Sequence, residues 1–187
     1  HGNLERLLGL EPLPADPVPA AAPLASQLWR RPLAGEPLEV DVVDAHGHLG
    51  PIGAYILRSP DPAEHVREML ASMDRLGLDL TLVSGGQALF SDPVEGNWAL
   101  ERLLRPHGER LRAYLAFNPH HSEALASHLE EYFTSPVFVG FKILCDYWRV
   151  PLTDPRLEPA WDYAHEHRLP ILVHTWSGGY NAPALLA

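Results

Sequence analysis

Two histidines, His46 and His48, come directly after a short apolar segment, residues 39–45, that predicts a β-strand. On an extended backbone, side chains at positions i and i+2 project to the same side. Two neutral imidazoles placed in this way can bind a divalent cation, Gly47 leaves space beside that cation, and Asp44 can orient one of the rings. The alternative is a pair of structural histidines in a loop.

Two further polar residues stand where apolar strands are predicted. His174 ends one apolar segment and Lys142 interrupts another, where burial of an unpaired ammonium is costly and favours the neutral amine. Three roles remain open for Lys142: a catalytic, metal-bridging carbamate formed with carbon dioxide, a partner for a substrate anion, or a side chain that reaches the rim of the sheet. The carboxyl ends of parallel strands share one edge, so His174 is expected beside His46 and His48.

Other histidines are weaker candidates for metal binding. His165 and His167 lie in a predicted helix, where positions i and i+2 point about 200° apart, so they cannot chelate one ion. Their expected role is to complement the dipole at the end of that helix. His120 and His121 are adjacent and diverge.

Aromatic residues follow the last two predicted strands, in the loops that would surround a site at the sheet edge. We expect a planar or apolar substrate to contact them, although packing of long loops is the alternative; they are Tyr147, Trp148, Trp176 and Tyr180. The sequence contains no G-x-G-x-x-G, P-loop or G-x-S-x-G motif, which disfavours nucleotide-binding and serine-hydrolase functions.

These residues are positioned by an alternation of strands and helices that begins at residue 39. Apolar β-rich segments predict strands at 39–45, 78–84, 111–117, 137–144 and 171–175. Apolar residues at helical spacing predict helices at 61–77, 94–105, 122–133 and 154–167.

Repeated strand–helix units without hairpin signals predict parallel strands joined by right-handed crossovers. From the residues alone, two arrangements are open. The five strands form either an open sheet or the first part of a longer (β/α)₈ barrel, in which case the remainder lies outside this sequence.

Composition limits the classes of protein further. The 187 residues include 14 Lys and Arg against 24 Asp and Glu, a net charge of −10 that disfavours nucleic acid as a partner. No apolar stretch approaches the roughly 18 residues of a membrane-spanning helix, and the single cysteine excludes an internal disulfide, so the cytoplasm is the expected location. Residues 1–38 are rich in Pro and Ala and predict an extended N-terminal arm.

Residues 39–187 resemble the amidohydrolase superfamily, in particular its decarboxylase-like branch. The resemblance rests on the motifs at residues 43–48, 140–143 and 169–175. It implies a TIM-type barrel, of which this chain supplies roughly strands 1–5. It also implies a divalent metal, Zn²⁺ before Mn²⁺, held by His46, His48, His174 and carboxylated Lys142.

The same resemblance implies two residues that are missing, a histidine after strand six and an aspartate after strand eight. We therefore expect the natural polypeptide to continue for about a hundred residues, or a second chain to complete the barrel, and this chain alone to be inactive.

Three functions follow as hypotheses. The first is a hydrolase in which a metal-activated water attacks a C–N or C–O bond of a small, aromatic or carboxylated molecule. The second is a metal-dependent decarboxylase or hydratase on the same scaffold. The third is a non-catalytic binding or assembly module. The expected partner is a small molecule rather than nucleic acid or a membrane, and homo-oligomers stay open.

Overall fold

The computed structural model describes residues 30–31, 33–38, 40–52, 61–175 and 179–180. The chain divides into two units, residues 1–39 and residues 40–187. In the first unit, Arg30, Arg31 and Leu33 have helical backbone, and the Ala34 N–H donates to the Arg30 carbonyl at 3.0 Å. This turn differs from the predicted extended arm because the hydrogen bond from i to i−4 closes a helical turn locally. That residues 1–38 form a separate N-terminal arm stays a prediction.

The second unit alternates strands and helices, as the sequence predicts. Its strands are β1 (Val43–Leu49), β2 (Leu80–Gly85), β3 (Leu111–Ala116), β4 (Phe138–Ile143) and β5 (Ile171–Val173). Its helices are α1 (Pro62–Leu76), α2 (Gly86–Phe90), α3 (Pro93–Leu104), α4 (Ser122–Ala126), α5 (Leu129–Thr134), α6 (Cys145–Trp148) and α7 (Glu158–His167). Short 3₁₀ turns occupy Arg105–His107, Pro119–His121 and Pro155–Leu157.

The five strands are all parallel and lie in the order β1-β2-β3-β4-β5, which is also their order along the chain. In doubly wound open sheets the order of the strands reverses at a switch point, whereas in barrels neighbouring strands follow one another along the chain. The strands form a half-barrel of the TIM-barrel type, with β1 and β5 at its two edges, so the prediction of a partial barrel is confirmed.

The helices cover one face of this half-barrel. On β4, the Phe141 ring packs against Phe133 of α5 and Tyr163 of α7, at centroid distances of 5.1 and 6.3 Å. The next residue, Lys142, faces the other side, where it meets His46 of β1. This alternation assigns one face of the sheet to the apolar core and the other to polar chemistry.

Helix α1 shows why the sequence predicts its ends well. The Asp61 carboxylate accepts the Ala63 N–H at 3.0 Å, and Pro62 occupies the first turn, where no amide donor is needed. Gly77 ends the helix with φ of 68°, a left-handed conformation that suits glycine. Val66 and Met73 are buried against the sheet.

Several predicted elements have different bounds in the structure, and for two of them the cause is evident. Strand β1 begins at Val43 rather than at residue 39 because its first partner in β2 is Leu80, and it extends to Leu49 through a bulge. The predicted helix 122–133 is broken into α4 and α5. There the Ser127 hydroxyl donates to the Ala124 carbonyl at 2.8 Å, a local hydrogen bond that competes with helix continuation.

None of the helices in the described ranges combines the length and apolarity that crossing a membrane requires.

Candidate metal centre at the carboxyl ends of the strands

A bulge in β1 presents its two histidines on one side of the strand. The register shifts between Asp44 and Gly47, so that Gly47 pairs with Val83 and His48 with Ser84. The rings of His46 and His48 lie 5.1 Å apart between centroids, with an interplanar angle of 55°. Both imidazoles therefore face the same region, as their spacing predicts.

Gly47 has a different role from the one its position suggested. A Cβ at Gly47 would lie 2.7 Å from Thr81 Cγ2 and 3.1 Å from Val83 Cγ1, both on the neighbouring strand. The absent side chain thus allows β1 to approach β2 on the side away from the histidines. Gly47 therefore sets the distance between β1 and β2 and does not leave room for a cation.

Asp44 fixes the backbone that carries the first histidine. Its Oδ1 accepts the His46 N–H at 3.0 Å, a local i to i+2 hydrogen bond that stabilises the bulge. The carboxylate also opposes the lowering of the pKa of His46, which burial and the Lys142 charge cause.

Lys142 lies at the centre of the candidate site. Its side chain is 1% exposed, and Nζ lies 3.1 Å from Nε2 of His46. Burial lowers the pKa of Lys142 to about 8, which brings the neutral amine within reach near neutral pH. Because Lys142 pairs with Ala116 on one side and Leu172 on the other, β4 holds it rigidly between two strands.

His174 follows β5 directly and stays attached to the sheet, since its N–H donates to the Ile143 carbonyl at 2.9 Å. Burial and the Lys142 charge lower the pKa of His174, whereas Asp146 raises it. His174 in turn contributes to the lowered pKa values of His46 and His48. Three separate strands thus bring His46, His48, Lys142 and His174 to one rim.

The electrostatics of this rim favour neutral imidazoles. Burial, with smaller contributions from the neighbouring cations, lowers the pKa of His48 to about 4. A neutral ring keeps a lone pair for a metal ion, so these histidines are in the form that ligation requires.

The residues fit a divalent ion in chemistry, although their side chains do not form a closed cage. In the described part of the chain, no three His, Cys, Asp or Glu side chains are grouped closely enough to hold an ion. Nδ1 of His48 is buried and has no hydrogen-bond partner among the residues that the structure describes, an arrangement that needs a further group. Three imidazoles and a near-neutral lysine are a donor set typical of a zinc-type or manganese-type site.

The predicted substrate-binding aromatics occupy different environments. The Tyr147 side chain is 55% exposed, and its ring meets His174 edge-on at 5.3 Å. Trp148 is buried, and its indole N–H donates to the Leu89 carbonyl at 3.1 Å, a packing role. Tyr180 is partly exposed, and its N–H donates to Asp146. Trp176 lies outside the described residues.

Three residues near this rim are not among the predicted site residues. Asp146 lies in the first turn of α6, and its buried Oδ2 has no hydrogen-bond partner within the described ranges. Phe90 ends α2, and its ring meets Tyr147 at 5.5 Å. Ser84 lies beside His48 in β2. Ser84 can be found from the sequence because it is a polar residue at the end of an apolar strand. Asp146 and Phe90 have no such signal, since only the fold brings them near the rim.

A cavity of about 440 Å³ opens near the ends of β1 and β2, between α1 and α3. Its lining is mainly apolar and includes Leu49, Pro62, Leu100 and Leu103. None of the predicted site residues lines it, so this cavity is separate from the histidine cluster.

Solved structures of similar fold cover about three quarters of this chain. The 5-carboxyvanillate decarboxylase of Sphingomonas paucimobilis is 16% identical with a TM-score of 0.54, over 72% of this chain and 51% of that one. The 4-oxalomesaconate hydratase of Rhodopseudomonas palustris is 18% identical with a TM-score of 0.50, over 71% and 52%. The 5-carboxyvanillate decarboxylase of Novosphingobium aromaticivorans, complexed with manganese, is 13% identical with a TM-score of 0.56, over 80% and 53%.

This chain therefore spans about half the length of the solved structures it matches. At these identities the likeness is one of fold. No curated protein matches the chain. The sequence profile of the amidohydrolase family matches residues 43–186, which is well over half of the chain and includes every candidate ligand, and the chain therefore belongs to that family.

Proposed function

We propose that the protein is a metal-dependent enzyme whose site lies at the rim formed by β1, β4 and β5. The observation that carries the proposal is the buried Lys142 amine, 3.1 Å from Nε2 of His46. A lysine buried beside a histidine is costly to the fold, and such costs are typical of functional sites.

In this proposal His46, His48 and His174 supply the imidazole ligands of a divalent ion, Zn²⁺ as the first candidate and Mn²⁺ as the second, and their side chains close around it from the wider spacing that the described structure shows. When bound, the ion supplies Lewis-acid chemistry, activating water and polarising a substrate oxygen. The manganese in the N. aromaticivorans decarboxylase supports the second choice.

Lys142 acts in one of two ways. Its neutral amine attacks carbon dioxide, forming an N–C bond and releasing one proton, and the resulting carbamate is an anionic ligand. Alternatively, the protonated amine binds a substrate anion directly. The lowered pKa of Lys142, caused by burial, supports the first route near neutral pH.

Hydrolysis of a C–N or C–O bond in a small molecule is the first candidate reaction. Non-oxidative decarboxylation, or hydration, is the second. Two observations favour the second: the fold likeness to two decarboxylases and a hydratase, and the exposed aromatic pair of Phe90 and Tyr147 beside His174. An aromatic ring can pack against this pair.

We also propose a small-molecule substrate rather than nucleic acid or a membrane, with homo-oligomers left open, and a cytoplasmic location. The net charge of −10 supports the exclusion of nucleic acid, since it repels polyanions.

Metal analysis of protein purified without chelators tests the proposal. We expect one or two equivalents of divalent metal per chain in the wild type and loss of that metal in His46→Ala. His165→Ala is the matched control, because His165 is exposed on α7 and outside the rim. Wild-type protein without stoichiometric metal would contradict both enzymatic functions and leave a non-catalytic binding or assembly module. For metal-loaded protein, release of carbon dioxide from aromatic carboxylates, measured against hydrolysis of amides and lactones, separates the two reactions.

A further inference from the structure

Ser84 carries a buried hydroxyl near the carboxyl end of β2. It is the fifth residue of β2 and is 0% exposed. Its Oγ has no hydrogen-bond partner among the described residues. Since native proteins satisfy nearly all buried polar groups, such an atom indicates a partner that is not part of the polypeptide described.

A second such atom belongs to the residue paired with Ser84. In the parallel register of β1 and β2, Ser84 is the partner of His48. Neighbouring strands lie about 4.8 Å apart, and paired residues project to the same face of the sheet. Nδ1 of His48 is also buried, and the described part of the chain offers it no hydrogen-bond partner.

Two other polar groups near His48 already contact each other, since Lys142 Nζ lies 3.1 Å from Nε2 of His46. Asp44 accepts the backbone N–H of His46. Thr81 and Val83 lie on the opposite face of β2, where their methyl groups approach the position of a Gly47 Cβ. Ser84 is therefore the polar side chain that the register places beside His48.

We propose that Ser84 is a positioning residue for His48, and that one buried water molecule bridges Ser84 Oγ and His48 Nδ1. The His48 Nδ1–H donates to the water, and the water and the Ser84 hydroxyl hydrogen-bond to each other. A single water satisfies both buried atoms, which is the usual role of internal waters. The bridge selects the tautomer with the proton on Nδ1 and leaves Nε2 for the metal ion.

This inference rests on the proposed function, because His48 needs orienting only as a ligand. A histidine ligand commonly donates its second ring N–H to a group behind it, and loss of that group typically weakens metal binding about 10- to 100-fold. Ser84 itself touches neither metal nor substrate in this scheme.

The test compares Ser84→Ala with wild type in a Zn²⁺ titration against a chromophoric chelator. We expect the dissociation constant to rise about 10- to 100-fold, and Ser84→Thr, which keeps the hydroxyl, to retain most of the affinity. Thr81→Val is the matched control, because it removes a buried hydroxyl from the same strand on the opposite face. It should leave the affinity unchanged.

A second readout does not depend on metal. In ¹⁵N spectra of the metal-free protein, His48 should show a protonated, hydrogen-bonded Nδ1, and the crystal structure of the wild type should show one water between the two atoms. Equal Zn²⁺ affinity of wild type and Ser84→Ala, or a His48 protonated on Nε2, would overturn the inference. Wild-type protein that binds no Zn²⁺ but shows the bridge would contradict the proposed function alone. If Ser84→Ala does not fold, the spectra and the crystal structure of the wild type decide.

Discussion

At the scale of single residues, Lys142 shows how the proposed function and the stability of the fold oppose each other. Lys142 is 1% exposed, yet it carries an amine within a strand whose other residues are apolar. Burial lowers the pKa of Lys142 to about 8, which means that folding disfavours the ammonium form. A site that needs a reactive amine thus costs the fold free energy that an apolar side chain would not.

Replacing Lys142 by methionine should therefore stabilise the protein while weakening metal binding. We expect the free energy of unfolding at pH 7 to rise by about 1–3 kcal/mol, and the melting temperature by roughly 2–4 °C for each kcal/mol. Thermal denaturation followed by circular dichroism measures this change. Leu144→Met, at a buried neighbouring position, is the control and should cost less than about 1.5 kcal/mol. A lower melting temperature for Lys142→Met would show that the contact with His46 outweighs the cost of burial.

At the scale of elements, the approach of β1 to β2 depends on the absence of a side chain. A Cβ on Gly47 would meet Thr81 Cγ2 at 2.7 Å, closer than real Cβ contacts come. The Thr81 methyl group is buried on a short β-branched side chain and cannot move aside. The bulge that aims His46 and His48 is therefore built around a glycine.

We expect Gly47→Ala to lower the free energy of unfolding by about 1–3 kcal/mol, as overpacked cores do. Gly108→Ala is the control: its φ of −61° is ordinary for alanine, and its Cβ would come only within 3.9 Å of the Arg105 carbonyl. That change should be neutral or stabilise by up to about 1 kcal/mol. Urea denaturation of both variants measures the difference, and equal midpoints would mean that β1 shifts without cost.

Helix α3 is joined to β3 by one buried amide. Asn97 Nδ2 donates to the Ala116 carbonyl at 3.0 Å, and the Ala116 N–H donates to Asn97 Oδ1 at 3.1 Å. Ala116 pairs with Lys142 in the next strand, so this amide also supports the strand beside the site.

Asn97→Leu should lower the free energy of unfolding by about 2–4 kcal/mol, because it leaves a backbone donor and a backbone acceptor buried without partners. Glu95→Ala on the same helix removes the ion pair with Arg102, whose groups are more than half exposed, and should cost under about 1 kcal/mol. Chemical denaturation compares the two variants. Similar losses in both would show that water replaces the Asn97 contacts.

At the scale of the whole molecule, burial is greatest in the middle of the half-barrel. Five of the six residues of β3 are buried, whereas the three residues of β5 are only partly buried. β3 has a neighbour on each side, while the described residues pair β1 and β5 on one side only. Backbone protection should follow the same gradient.

Hydrogen–deuterium exchange measured by mass spectrometry should find peptides from β3 the slowest to exchange and those from β5 among the fastest. The measurement needs no variant, and α1, with its two capped ends, serves as the internal reference. Protection of β5 equal to that of β3 would show that β5 has a further pairing partner in the protein.

Much of the fold was predictable because local signals agree with it. Pro62 and Gly77 mark the ends of α1, and β-rich segments between such helices predict parallel strands. The bounds of β1 were less predictable, because pairing with β2 sets them rather than local propensity. The break between α4 and α5 depends on one serine hydroxyl, which has no strong sequence signal.

The amino-acid sequence alone establishes the set of chemical groups and their spacing: two histidines separated by one glycine, a lysine within an apolar strand and a histidine at the end of another. Spacing within one strand is local, so the common side of His46 and His48 follows from backbone geometry. Two contacts are visible in the tertiary structure alone. Lys142 lies against His46, 96 positions away in sequence, and Ser84 lies beside His48. Such contacts arise from strand order and register, which depend on how all five strands bury their apolar faces together.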